Sequence, residues 1–308
     1  MKYSKSRAAR GAMVVAAVGL VVAASGCSVA PSASSGDGGV SVVASTDVYG
    51  NIVAAIGGPS VTVASIIDDP SKDPHEYAAD AQNQLALARA DIVVENGGGY
   101  DDFVDTMLSA TNGAHPVVLN VADLSGYDQA PASGSFNEHL WYDFPTMEVV
   151  TTAIAQALSN ADPAHASTFA SNAEAFTASL KALEGREADV KAHHAGKGVA
   201  ITEPVPLYML TAMGLENRTP PKFSESVEQD TDTPADVLQA TLDLFSTHQV
   251  SVLAYNAQTS GPQTAAVVGA AKQNGIPAVP VTETLPSGET YLTWMGHNID
   301  AISAALGS

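Results

Sequence analysis

Two imidazoles and two carboxylates stand just beyond four short apolar runs of the chain. His75 lies in Asp73-Pro74-His75-Glu76-Tyr77, past the run ending at Ile67. His139 lies in Asn137-Glu138-His139-Leu140-Trp141, past the run ending at Val121. Glu203 follows Val199-Ala200-Ile201-Thr202, and Glu283 follows Val279-Pro280-Val281-Thr282. Taken singly, each has an ordinary structural explanation: a hydrogen-bonded loop histidine, or a glutamate capping an element. Taken together, two neutral imidazoles and two carboxylates would neutralise a divalent cation and offer it mixed nitrogen and oxygen donors. Such a set suits manganese, iron or zinc. The chain has one cysteine, so a thiolate cluster is excluded and any metal must be held by histidine and carboxylate.

Other candidate chemistry is weaker. Gly97-Gly98-Gly99 lacks the Lys and Ser/Thr of a phosphate-binding loop and reads as a turn. Ser224-Glu225-Ser226 is not in a nucleophile elbow. His193-His194 reads as a cationic helix end. His115, His165, His248 and His297 are isolated and read as surface or packing residues.

The elements that must position the four residues follow a β-α rhythm. Strands are expected at 40–44, 61–67, 91–95 and 116–121, with helices near 47–56, 79–90 and 101–108. Their continuous apolar runs mark a parallel sheet covered by helices. Residues 123–138 read as loop, and helix resumes at 146–158. Asp162-Pro163 then opens an Ala-rich helix reaching about His194, with Asp162 as N-cap and Pro163 in the first turn. At 1.5 Å per residue it would span about 45 Å, enough to bridge two lobes. A second series has strands at 198–202, 251–255 and 278–281 and helices near 234–247, 264–273 and 291–306. The expected fold is α/β, with two lobes, each a parallel sheet flanked by helices, joined by one long rigid helix. The lobes are expected at 40–160 and 197–308, with the linking helix at 161–196. Ligands of open parallel sheets bind beyond the carboxyl ends of the strands, where all four candidates lie.

The first segment reads as an address. Residues 1–26 carry Lys2, Lys5, Arg7 and Arg10, then an apolar run, then Ser25-Gly26, as a signal peptide does. The run from Gly11 to Ala24 is shorter than the roughly 18 apolar residues of a membrane span. Cys27 follows Ala24-Ser25-Gly26, which resembles a lipobox, with Ala24 where Leu is usual. Cys27 is therefore the expected lipidation site, and residues 28–39 a flexible small-residue tether. The protein is expected to be exported and lipid-anchored to the outer face of the cytoplasmic membrane. The net charge is -20, and removal of the four leader cations takes it to -24. So acidic a surface excludes nucleic acid as a partner.

Asp73-Pro74-His75-Glu76-Tyr77, Asn96-Gly97 and His139-Leu140-Trp141 resemble the cluster A-I metal-binding proteins of bacterial ABC transporters, the zinc and manganese solute-binding lipoproteins. Thr282-Glu283-Thr284-Leu285, Gly288-Glu289-Thr290-Tyr291 and Met295-Gly296-His297-Asn298 resemble the family's ending. The likeness runs from about Val40 to Leu306. It implies a metal site of His75, His139, Glu203 and Glu283, a role in delivering the metal to an ABC permease, and no enzymatic activity. Three positions depart from the family pattern. Asn137-Glu138 stands where Asp-Pro usually precedes the second His. Pro204 and Pro206 replace small and aromatic residues, and Glu283 replaces the usual Asp.

The expected cargo is Mn2+ or Zn2+, with Fe2+ a further candidate. Manganese is favoured, because carboxylates suit the harder ion, whereas intrinsic affinity favours zinc. The segment 124–138 has no His, so the His-rich loop of many zinc importers is absent. A monomer is expected. The alternatives are a zinc-specific member of the same family, a zinc-dependent hydrolase with Glu76 as base, and an organic-solute or adhesion lipoprotein.

Overall fold

The computed structural model describes residues 39–69, 77, 80–111, 113 and 115–307. The expected leader, Cys27, nearly all of the tether, His75 and Glu76 lie outside the described residues. In chain order the elements are β1 (Val40–Thr46), α1 (Asp47–Gly57), β2 (Val61–Ile67), α2 (Ala81–Leu87), β3 (Ile92–Glu95), α3 (Phe103–Ser109), β4 (Val117–Asn120), α4 (Val121–Ser125), α5 (Phe144–Ala161) and α6 (Ala166–His194). They continue with β5 (Gly198–Ile201), α7 (Leu207–Ala212), β6 (Glu216–Asn217), α8 (Pro221–Glu228), α9 (Ala235–Ser246), β7 (Val252–Asn256), α10 (Pro262–Gln273), β8 (Ala278–Val281) and α11 (Tyr291–Ala305).

The strands form two parallel four-stranded sheets, ordered β2-β1-β3-β4 and β6-β5-β7-β8. The period-two pleat explains why the central strands are apolar on both faces. In β1, Val42 and Ala44 enter one core while Val43 enters another, under α2 and α3. In β5, Val199 and Ile201 face the first core, and Ala200 faces a third that also holds Phe223, Leu244 and Phe245. The first core is common to both sheets: Val42 and Val94 belong to the same buried cluster as Val199, Ala254 and Val281.

The long helix α6 has 29 residues, which is about 43 Å. Asp162 accepts from the Ala164 amide in the single 3-10 turn that precedes it. Phe169, Ala173, Phe176, Leu180, Leu183 and Val190 make its buried stripe. That stripe packs on α1 and α5 from the first series and on α7 and α11 from the second. The sequence reading missed α4, which takes Val121 from the expected strand and Asp123–Ser125 from the expected loop, and it missed α7, β6 and α8. Pro206 and Pro220 suggest loop, yet each is tolerated at the edge of a helix, and Pro221 occupies the first turn of α8, where its missing N–H costs nothing. Strand β6 is a two-residue edge, too short to show a period.

Candidate metal site

Two of the three described candidates sit where a strand leaves the sheet, and the third lies in the loop before α5. Glu203 lies two residues beyond β5, and Glu283 two residues beyond β8. His139 precedes a 3-10 turn, Leu140–Tyr142, that leads into α5, whose N-cap Asp143 accepts from the Thr146 amide and hydroxyl. All three are buried: His139 is 0% exposed, and Glu203 and Glu283 are each 3% exposed.

The two carboxylates are joined by one side chain. Asn256, the last residue of β7, donates through Nδ2 to Glu203 Oε2 and to Glu283 Oε1, both at 2.7 Å. The two acceptor oxygens therefore lie no further apart than twice that distance. The Thr259 hydroxyl reaches Glu203 Oε2 at 3.3 Å. Gln258 fixes the backbone: its Oε1 accepts from the amides of Glu283 at 2.5 Å and Thr284 at 3.2 Å. The Tyr100 hydroxyl feels the charge of Glu283 as well. Burial, then the negative charge of Glu283, raise the Tyr100 hydroxyl well above the usual phenol range, so it stays protonated.

His139 is oriented by Asn137. Asn137 Nδ2 donates to the Pro204 carbonyl at 3.2 Å, which can only accept, so Oδ1 must face the imidazole. There Oδ1 lies 2.8 Å from His139 Nδ1 and accepts from the His139 amide at 3.3 Å. In the neutral ring the proton is therefore on Nδ1 and the lone pair on Nε2, as a metal ligand requires. The ring is packed edge-on to Trp141 and Tyr100 at centroid distances of 5.2 and 6.1 Å. Asn137 also ties the loop of His139 to Pro204, the residue after Glu203. A second tie is the Tyr208 hydroxyl, which donates to the Asn137 carbonyl at 2.8 Å.

The Asn96-Gly97 motif supports the same loop. Asn96 Nδ2 donates to the Glu138 carbonyl at 2.9 Å, and its Oδ1 accepts from the buried Tyr49 hydroxyl. Asp101 accepts from the amides of Asn96 and Gly97 at 2.6 and 2.7 Å, holding the turn. Gly97 and Gly98 have positive φ, and a Cβ on Gly98 would fall 2.3 Å from the Phe136 ring. Only glycine lets the turn and the loop approach so closely.

Sequence reasoning missed Glu228. Its Oε1 lies 3.5 Å from His139 Nε2. Among the described residues, Glu138, His139 and Glu228 offer donor atoms that all lie within 4.8 Å of one another. Glu203 and Glu283 are not in this group. The signal for Glu228 was hidden, because it ends a helix that prolines disguised. The supporting residues Asn137, Asn256 and Gln258 carry no spacing signature. Asn137 alone drew notice, as a departure from the family pattern.

The class of protein is defined by these features: two parallel α/β lobes, one spanning helix, and a buried His-carboxylate cluster beyond the strand ends. The model of the ZnuA family, zinc-uptake complex component A, periplasmic, matches residues 42–305, and the chain belongs to that family. The manganese-binding lipoprotein MntA of Bacillus subtilis strain 168 is 26% identical over 309 residues, covering 96% of this chain and 99% of that protein. Two solved structures share the fold. The periplasmic zinc binding protein TroA of Treponema pallidum has a TM-score of 0.73 at 20% identity, covering 87% of this chain and 99% of that one. FpvC of Pseudomonas aeruginosa, solved in complex with Mn2+, has a TM-score of 0.71 at 21% identity, covering 87% of this chain and 98% of that one.

Proposed function

We propose that the protein captures a divalent transition-metal ion outside the cytoplasmic membrane and delivers it to an ABC permease. The observation that carries this is that one side chain, Asn256, joins Glu203 to Glu283, while Asn137 ties the loop of His139 to Pro204, the residue after Glu203. His139, Glu203 and Glu283 leave different elements of both lobes and are buried, with Asn137 and Asn256 as their hydrogen-bond partners. With His75, they are the proposed ligand set. The lobes at 40–160 and 197–308 with the helix at 161–196, the Cys27 anchor and the monomeric state belong to the same proposal.

The chemistry is binding and release, with no bond made or broken in an organic substrate. Manganese is the favoured cargo, because carboxylate donors match a harder ion. Zinc is the alternative wherever it is available, since it binds nitrogen and oxygen sites more tightly. Iron(II) fits the same donors.

The test is metal content and affinity of the purified protein after expression in metal-defined media, by elemental analysis and chelator competition. One tightly held ion per chain is expected, with at least a tenfold loss of affinity in His139→Ala. Unchanged affinity in that variant would remove His139 from the set. Peptidase and esterase assays of the metal-loaded protein should be blank. Turnover lost with the metal would favour the hydrolase reading.

A further inference from the structure

We infer that Glu138, His139 and Glu228 form an acceptor subsite. There an incoming divalent metal ion is first held, before transfer to the deeper carboxylates Glu203 and Glu283. The inference rests on the capture function above and adds a second place within the cleft.

The geometry is that of donors around one ion. Nitrogen and oxygen ligands lie about 2.1 Å from zinc, so adjacent donors of a tetrahedral ion are about 3.4 Å apart and opposed donors at most about 4.2 Å. His139 Nε2 and Glu228 Oε1 are 3.5 Å apart, and all three donors lie within 4.8 Å of one another. A small closure would bring them onto an ion. The nitrogen that faces Glu228 is the one Asn137 leaves with a lone pair.

The placement suits entry. Glu138 and Glu228 line a cleft of about 810 Å³ that opens to solvent, whereas Glu203 and Glu283 are 3% exposed and do not line it. Glu225 and Asp230 line the same cleft, so its field draws cations inward. Glu138 comes from the His139 loop and Glu228 from the C-terminal end of α8, on the second sheet's side, so the subsite spans the two lobes. A helix C-terminus also favours a cation. Two carboxylates and one imidazole can neutralise a divalent ion, and the shared His139 offers a route: the ion exchanges Glu138 and Glu228 for Glu203 and Glu283 while keeping its nitrogen ligand.

The test disables the deeper pair. In Glu203→Gln/Glu283→Gln, Mn2+ titrated by electron paramagnetic resonance should still occupy one weak site. Adding Glu228→Gln should weaken that site at least tenfold, and Glu225→Gln, which removes an equal charge from the same cleft, should not. Co2+ absorption should report a lost carboxylate ligand only in the Glu228 variant. In the otherwise native chain, Glu228→Gln should slow Mn2+ association at least tenfold relative to Glu225→Gln, which tests the subsite without disturbing the deeper pair. A double variant that folds but binds no Mn2+, or a residual site indifferent to Glu228→Gln, would overturn the subsite and leave the capture site standing. A double variant with native affinity would overturn the deeper pair instead. Equal association rates in the Glu225 and Glu228 variants would also overturn the subsite.

Discussion

Asn137 decides what His139 can do. A neutral imidazole has two nitrogens, and only a fixed acceptor at Nδ1 guarantees that Nε2 carries the lone pair. Asn137 provides that acceptor because the Pro204 carbonyl takes its amide hydrogens. Such supporting partners are typically worth 10- to 100-fold in metal affinity. Asn137→Ala is therefore expected to weaken Mn2+ binding by at least tenfold in chelator competition. Asn137→Asp, which keeps an acceptor for Nδ1 but loses the donor to Pro204, should retain more affinity than the alanine variant. The reverse order would mean that the tie to Pro204, and not the imidazole's orientation, is what matters. Asn256 plays the matching part for the carboxylates, by placing one amide group against both.

At the scale of elements, α6 carries a cost. Glu187 lies in its buried stripe, 4% exposed, between Leu183 and Val190. Burial, then the charges of Glu184 and Asp143, raise its carboxyl from 4.5 to about 8. Between those two values the folded chain keeps a proton that the unfolded chain has released. The folded state therefore binds more protons, and stability falls as pH rises through that window. The difference is on the order of a few kcal/mol. Glu187→Gln should remove this dependence. Its melting temperature relative to the parent should rise between pH 5 and pH 8, as followed by circular dichroism. A constant difference across that range would show that Glu187 is ionised in the folded chain. The turns that bracket the site are built more cheaply, by Asp143 capping α5 and by the Thr290–Thr293 capping box that starts α11.

The whole molecule behaves as two lobes with a common core. The Tyr142 hydroxyl donates to the Thr282 carbonyl at 2.9 Å, and that of Tyr291 to the Trp141 carbonyl at 2.6 Å. The exit of β8, which carries Glu283, is thus pinned to the turn after His139. An ion that joins residues of both lobes binds only the folded chain and stabilises it by mass action, about 4 kcal/mol at a thousand times its dissociation constant. For a chain of this size that is a rise of roughly 7 °C in melting temperature. Thermal scans with Mn2+ and with a chelator should show it, and a metal-independent melting point would mean that the ion does not bridge the lobes. At the other end of the chain, Cys27→Ala is expected to release the protein from the membrane or to leave it unprocessed. A variant that is processed and still membrane-bound, in fractionated cells, would rule out the anchor.

The two-sheet architecture was legible because strands buried on both faces read as unbroken apolar runs, and β2 and β8 have the bounds their sequences announce. The reach of α6 to His194 was legible from its Ala-rich run, but its start was not: Asp162 and Pro163 open a separate 3-10 turn, and the helix itself begins at Ala166 with His165 as N-cap. The identity of the candidate ligands came from residue type and from strand ends, both local properties. Tertiary structure decided the rest. Asn137 and Asn256 matter through hydrogen bonds to residues far along the chain, and no local pattern encodes such partners. Glu228 was hidden for a second reason. It ends a helix that opens with Pro221, and what it offers depends on chain packing that places its carboxylate 3.5 Å from an imidazole 89 positions earlier. Sequence fixes which atoms can bind a metal. Only the close approach of two lobes, driven by burial of their common core, determines which of those atoms meet.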